Sequence, residues 1–196
     1  MKAIATIVFA ASLAAGLPAA VPGAVAAAKE QKQTLTAEQK AAEREARLKI
    51  ASDGLDRLYK IEPGARDAVE KAVGYAVFDI TSVYAILLVG QKGKGVLFDN
   101  ATKKPVFMSS LRAGTGPGVG KQRVFQIFVF KTKDAMNQFQ LAGNTGGDIS
   151  GSISTGSGGS VRSFNPSIDI YQVPESGAAL QASWGGTVYS VDSDLQ

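Results

Sequence analysis

The sequence predicts an α+β fold. Its core would be an antiparallel β-sheet, sandwich or half-barrel, with N-terminal helices and one short helix inserted after the central strand. Three observations lead there. A capped stretch with apolar residues at helical spacing runs from Thr36 to about Tyr59. From Tyr75 to Ser109, short apolar runs alternate with Gly and Asn turns, the pattern of an antiparallel meander. The apolar run Val124 to Phe130 is followed at once by a helix signal at Thr132.

The N-terminal segment reads as a targeting signal. Lys2 precedes an apolar run from Ala3 to Leu17, and small residues follow with A-x-A sites at Ala24 to Ala26 or Ala26 to Ala28. The run is too short for a good membrane span and is broken by Pro18, Pro22 and Gly23. We expect residues 1–28 to be a signal peptide that exports the chain to the periplasm or the extracellular space. Residues 29–49 would be a polar lead-in with the start of the first helix, and residues 50–194 the folded domain.

Thr36-Ala37-Glu38-Gln39 is a capping box, in which Thr36 accepts from the Gln39 amide and Gln39 reaches back. The helix it opens is charged in its first half. Leu48, Ala51, Leu55, Leu58 and Tyr59 form a stripe in the second. Glu43 with Arg47 and Glu45 with Lys49 are favourable pairs one turn apart. Ala37 to Arg47 lacks the large apolar residues of a membrane-surface helix, so the packed-helix reading is preferred. Pro63-Gly64 ends this helix, and Ala65 to Val73 reads as a second one closed by Gly74.

Strands are expected at Tyr75 to Phe78, Ser82 to Val89, Val96 to Phe98 and Pro105 to Ser109. Turns are expected at Gly90 to Gly95 and at Asp99-Asn100. Ser82 to Val89 is apolar on both faces, which suggests a central strand. Gly114, Gly116, Gly118 and Gly120 recur every second residue and share one face of a strand. Such a face admits close packing at the centre of a sheet, or a sharp bend. It is not a phosphate loop, because Gly120-Lys121 is followed by Gln122 and then by a strand. Thr132 caps a helix with Met136 and Phe139 inward and Gly143 as terminator. A strand is expected to begin at Asp148 to Ser150, followed by a flexible loop at Gly156 to Ser160. Ser167 to Val173 alternates as a strand, and a last strand covers Ala178 to Tyr189. Trp184 and Tyr189 read as packing residues, and the tail from Asp192 to Gln196 as frayed.

The chain has neither Cys nor His. That argues against disulfides, thiolate chemistry, zinc sites and Ser-His triads together. Asp79, Asp99, Asp148 and Asp169 are candidate acids, yet no spacing pairs them into a dyad. We therefore expect no enzyme, no metal and no cofactor. Charge is distributed unevenly. Between residues 92 and 123 lie Lys92, Lys94, Lys103, Lys104, Arg112, Lys121 and Arg123 against Asp99 alone. This asymmetry points to an anionic partner. The absence of interleaved exposed aromatics, together with export, argues against nucleic acid.

From Ile50 to Asp194 the chain resembles the SYLF domain family, which includes fungal actin-binding proteins. The resemblance rests on P-G-A-R at Pro63 to Arg66, K-A-V-G-Y-A-V-F at Lys71 to Phe78 and G-K-G-V-L at Gly93 to Leu97. It continues through the glycine row, T-K-D-A-M-N-Q-F at Thr132 to Phe139 and D-I-S-G-S-I at Asp148 to Ile153. It closes with I-D-I-Y at Ile168 to Tyr171 and G-A-A-L-Q-A-S-W-G-G at Gly177 to Gly186. Two positions depart from the family pattern: Asp79 stands where proline is usual, and Lys94 where an acid is common. The resemblance implies an antiparallel β fold with helices and binding of phosphoinositides or other anionic phospholipids. Actin is not an expected partner of an exported bacterial protein. The expected function is a non-enzymatic lipid-binding module of the cell envelope, with the seven basic residues facing anionic headgroups. The alternative is a structural or protein-interaction role, through a sheet edge or the Gly156 to Ser160 loop, toward an envelope protein.

Overall fold

The computed structural model describes residues 35–145, 152–153, 159–163, 165–175 and 184–196. The expected signal peptide, the strand start at 148–150 and most of the 156–160 loop lie outside them. The architecture is α+β, as the sequence predicts. Helices α1 (Ala37–Ile61) and α2 (Ala65–Lys71) lead into two long strands, β1 (Gly74–Asp99) and β2 (Pro105–Phe130). Helix α3 (Lys133–Thr145) follows, then β3 (Ser152–Ile153), β4 (Gly159–Ser163), β5 (Ile168–Pro174), β6 (Trp184–Val191) and a 3₁₀ turn, Ser193–Leu195. All strand pairings are antiparallel. The described sheet has six strands in the order β1-β2-β5-β4-β3, with β6 also on β2.

The expected run of short strands is instead one hairpin of two 26-residue strands. Gly74 pairs with Phe130 at its open end and Phe98 with Pro105 at its closed end, with a register shift between Ile86 and Leu88. The ribbon then folds back on itself. A Cβ at Gly95 would lie 2.5 Å from the Val77 carbonyl oxygen, and one at Gly93 3.2 Å from that of Asp79. The Asn100 amide donates to the Val73 carbonyl. So residues 73–80 lie against the face on which Gly93 and Gly95 carry no side chain. The turn expected at Gly90 to Gly95 is not one. Glycines there serve close backbone approach, the role the sequence suggested for the later row. That row, Gly114 to Gly120, is the bend rather than the sheet centre. Gly118 and Gly120 have φ of 148° and 122°, where a side chain would strain the backbone. The doubled ribbon presents different parts of β2 to different neighbours: residues 124–130 pair with β5, and residues 108–115 with β6.

Strand alternation then builds two cores. Val77, Phe125, Ile127, Val129, Tyr171 and Val173 face α1 and α2. Phe78, Phe128, Phe130, Ile168, Ile170 and Tyr189 face the other way, toward Met136 and Phe139 of α3. Tyr189 sits edge-on to Phe78, with ring centroids 5.1 Å apart, and to Phe128 at 5.6 Å. Its expected packing role holds; the Trp184 side chain lies outside the described ones.

The capping box forms as read, Gln39 N to Thr36 Oγ1 at 3.2 Å and Thr36 N to Gln39 Oε1 at 2.9 Å. The buried stripe of α1 is Arg47, Ala51, Gly54 and Leu58, and Leu48 is exposed. At Gly54 a Cβ would meet Val77 Cγ1 at 2.7 Å, so the missing side chain lets the helix lie close on the sheet. Lys49 pairs with Asp53 rather than with the expected Glu45. Helix α2 stops at Lys71, where Asn100 Nδ2 donates to the Val69 and Ala72 carbonyls. Thr132 Oγ1 accepts from the Ala135 amide at the start of α3, which runs past Gly143 to Thr145. Gly159 and Ser160 belong to β4 rather than to a loop.

The tail is not frayed. Leu195 is buried beside Val96 and Phe107. Arg44 donates to the Leu195 and Gln196 carbonyls. Buried Arg47 gathers Glu43 (3.0 Å), the Met108 carbonyl (2.6 Å) and Asp192 (2.5 Å), and Ser109 also donates to Asp192. A buried guanidinium needs this many acceptors to offset its desolvation, so α1, β2 and the tail are tied at one point.

Candidate functional site

The far end of the folded ribbon is its most unusual surface. Residues 81–92 of β1 pair with residues 111–123 of β2. Ser82, Tyr84 and Val89 are buried on one side of this stretch. The opposite side and the bend expose Val83, Ile86, Leu87, Leu88, Leu111 and Val119; Ile86 is 72% and Val119 76% exposed. Ser82 to Val89 is therefore not a central strand. A sheet with one covered side buries only alternate residues, and the consecutive Ile86-Leu87-Leu88 leaves the rest in solvent. Ile86 also has a φ of 62°, which a β-branched residue rarely adopts. The surrounding fold thus holds a strained apolar tip outward.

The seven basic residues do not share one surface. Lys92 and Lys121 stand on the distal ribbon, directly opposite Leu111 and Val83, and neither forms an ion pair among the described residues. Arg112 lies on the same ribbon, opposite Gln91. Arg123 is engaged: its Nε and Nη2 donate to the two Asp79 oxygens at 2.7 and 2.6 Å, and Nη1 to Glu175 at 2.7 Å. The hydrogen bonds it donates to Asp79 hold the guanidinium more firmly protonated than usual. Lys94 donates to Glu43 at 2.7 Å. Burial pushes Glu43 up, yet hydrogen bonds from Lys94 and Arg47 outweigh it and leave its carboxyl below the ordinary value. Lys103 and Lys104 lie in the loop at the closed end of the hairpin, where Lys103 reaches Asn100 at 3.3 Å.

The candidate acids are structural partners. Asp79 holds Arg123, Asp99 accepts from Lys133 and from the Ala101 amide, and Asp169 pairs with Lys131. Asp148 lies outside the described residues. The apolar tip's Ile86-Leu87-Leu88 lies within the stretch whose pattern suggests a central strand. Its signal was available: three consecutive large apolar residues cannot all be buried in a one-sided sheet. No helix among the described residues is long and apolar enough to cross a membrane.

No family model matches the chain. A curated protein from Aeromonas veronii, Beta cell expansion factor A, is 31% identical to it over 156 residues. The alignment covers 78% of this chain and 59% of that protein, so the chain spans about three-fifths of the length of the curated relative it matches.

Proposed function

We propose that this chain is an exported, non-enzymatic lipid-binding module of SYLF type that attaches to anionic membrane surfaces through the tip of the folded ribbon. The motifs from Pro63 to Gly186, in their order and spacing, support the family assignment. The observation that carries the function is the exposed apolar cluster of Ile86, Leu87, Leu88 and Val119, flanked by Lys92 and Lys121, which form no ion pair among the described residues. Monomeric proteins rarely expose contiguous apolar patches without a use for them. Burying one such side chain contributes about 1.5–3 kcal/mol. Each lysine near an anionic surface adds about 1 kcal/mol, decaying over a Debye length. Two or three inserted side chains with two lysines suffice for reversible attachment. Vesicle sedimentation tests the reading. Binding should rise with the fraction of anionic lipid and fall with salt. Equal binding to neutral and anionic vesicles would overturn the anionic selectivity, and binding to neither would overturn the reading in favour of docking to an envelope protein.

A further inference from the structure

Where the two halves of β1 part beyond Ile80, they leave a groove beneath the tip. One section, of about 460 Å³, is lined by Thr81, Lys92, Lys94, Ser109, Ser110 and Ser190, with Asp79 at its wall. The adjoining section, of about 260 Å³, is lined by Val83, Gly90, Leu111 and Arg112 and shares Thr81, Lys92 and Leu111 with the first. One end therefore offers hydroxyls and ammonium groups, and the other is mainly apolar and opens toward the exposed tip. The charges at the polar end are mostly satisfied in place, Lys94 by Glu43 and Asp79 by Arg123. Lys92, exposed and without an ion pair among the described residues, is left over.

We propose that this groove holds one molecule of a single-chain anionic amphiphile, a fatty acid or a lysophospholipid. The acidic head would lie at Lys92 and the neighbouring hydroxyls, and the chain along Val83 and Leu111. The observations select that class. A net cation among hydroxyl donors recognises a carboxylate or phosphate. A continuous apolar section beside it takes a hydrocarbon chain. The larger section falls in the lower half of the range for ligand pockets, about 300–1,000 Å³, and the smaller one just below it, which favours one chain over two. The proposal rests on the lipid-binding reading for the class of ligand only, and adds a stoichiometric internal site to a surface contact.

Titration calorimetry of the full chain with palmitate, below its micelle concentration and without vesicles, tests it. One-to-one binding is expected. Gly90 lines the groove and an added Cβ there meets nothing within 4 Å, so Gly90→Phe should fill the groove without disturbing the fold. That variant should weaken palmitate binding at least about tenfold and leave the melting temperature and sedimentation with anionic vesicles unchanged. Lys92→Gln should weaken palmitate about tenfold while leaving palmityl alcohol unaffected. Lysophosphatidylglycerol and inorganic phosphate complete the set: the first should bind and compete with palmitate, the second should not displace it. Non-saturable palmitate binding, full affinity in Gly90→Phe, equal affinity for the alcohol, or displacement by phosphate would each overturn the proposal. If Gly90→Phe melts early, a diazirine-bearing fatty acid photocrosslinked to the unmodified chain decides instead, since labelling away from Val83, Gly90 and Leu111 refutes the groove. Vesicle binding without palmitate uptake removes this site and keeps the surface reading. Palmitate uptake without vesicle binding does the reverse.

Discussion

Arg123 and Asp79 meet in a two-pronged salt bridge, Nε to Oδ1 at 2.7 Å and Nη2 to Oδ2 at 2.6 Å, diagonally across the β1/β2 ladder. A residue that looks from its position like part of a lipid-facing basic set thus belongs to the structure that holds the ribbon base. Arg123→Gln should destabilise the fold by about 1–2 kcal/mol, because the bridge is bidentate and Asp79 is largely shielded. Its effect on the salt dependence of vesicle binding should be smaller than that of Lys121→Gln. Urea titration and sedimentation on the same preparations read both quantities. A larger salt effect from Arg123 would return it to the lipid-facing set.

At the tip the expectation is opposite. Leu87→Asp or Leu88→Asp replaces an exposed side chain, so stability should change by no more than about 0.5 kcal/mol. Vesicle affinity should fall at least about tenfold, since apolar burial is lost and a repelled charge is added. Thermal melts and anionic-vesicle sedimentation check this together, and undiminished binding would exclude the tip as the contact.

The fold-back rests on Gly95. An added methyl would sit 2.5 Å from both the Val77 carbonyl oxygen and Phe78 Cδ1. Gly95→Ala should therefore cost about 3 kcal/mol, whereas Gly90→Ala, in open space, should be close to neutral. Chemical denaturation of the two variants makes the comparison.

Acid should loosen the junction of α1, β1 and the tail. Glu43 carries a folded pKa below its ordinary value of 4.5, set by burial, which opposes the shift, and by the Lys94 and Arg47 hydrogen bonds, which overcome it. For a carboxylate lowered in the folded state, the contribution is complete above pH 4.5 and is lost as pH falls through the folded value. Asp99, lowered first by its hydrogen bond from Lys133 and then by the Ala101 amide, acts in the same direction. Glu43→Gln should lower stability at neutral pH and flatten the acid limb of urea midpoints plotted against pH. An acid limb as steep as that of the unmodified chain would show that Glu43 does not contribute.

Local signals are legible in the sequence. The Thr36/Gln39 capping box, the pairing of Glu43 with Arg47, the Thr132 cap with Met136 and Phe139 inward, and the alternation of Ile168 to Val173 all depend on neighbours within a few residues. Arg47 shows where that reach ends. Its bond to Glu43 is visible one turn away, but its bonds to the Met108 carbonyl and Asp192 join positions far apart in sequence, and only the folded chain brings them together.

The glycines carry the same lesson. Sequence alone determined the α+β class, the helices and their caps, the apolar strands and the clustering of positive charge, because periodicity and capping are local. Tertiary structure decided that Gly93 and Gly95 receive a backbone while Gly118 and Gly120 make the bend. It also decided that Lys94 and Arg123 are bound to acids while Lys92 and Lys121, beside an apolar tip, have no ion pair among the described residues. A glycine permits close approach and sharp turning equally well, and a lysine suits an ion pair or a headgroup equally well. The choice depends on what the rest of the chain places within a few ångströms, and that is a property of the fold.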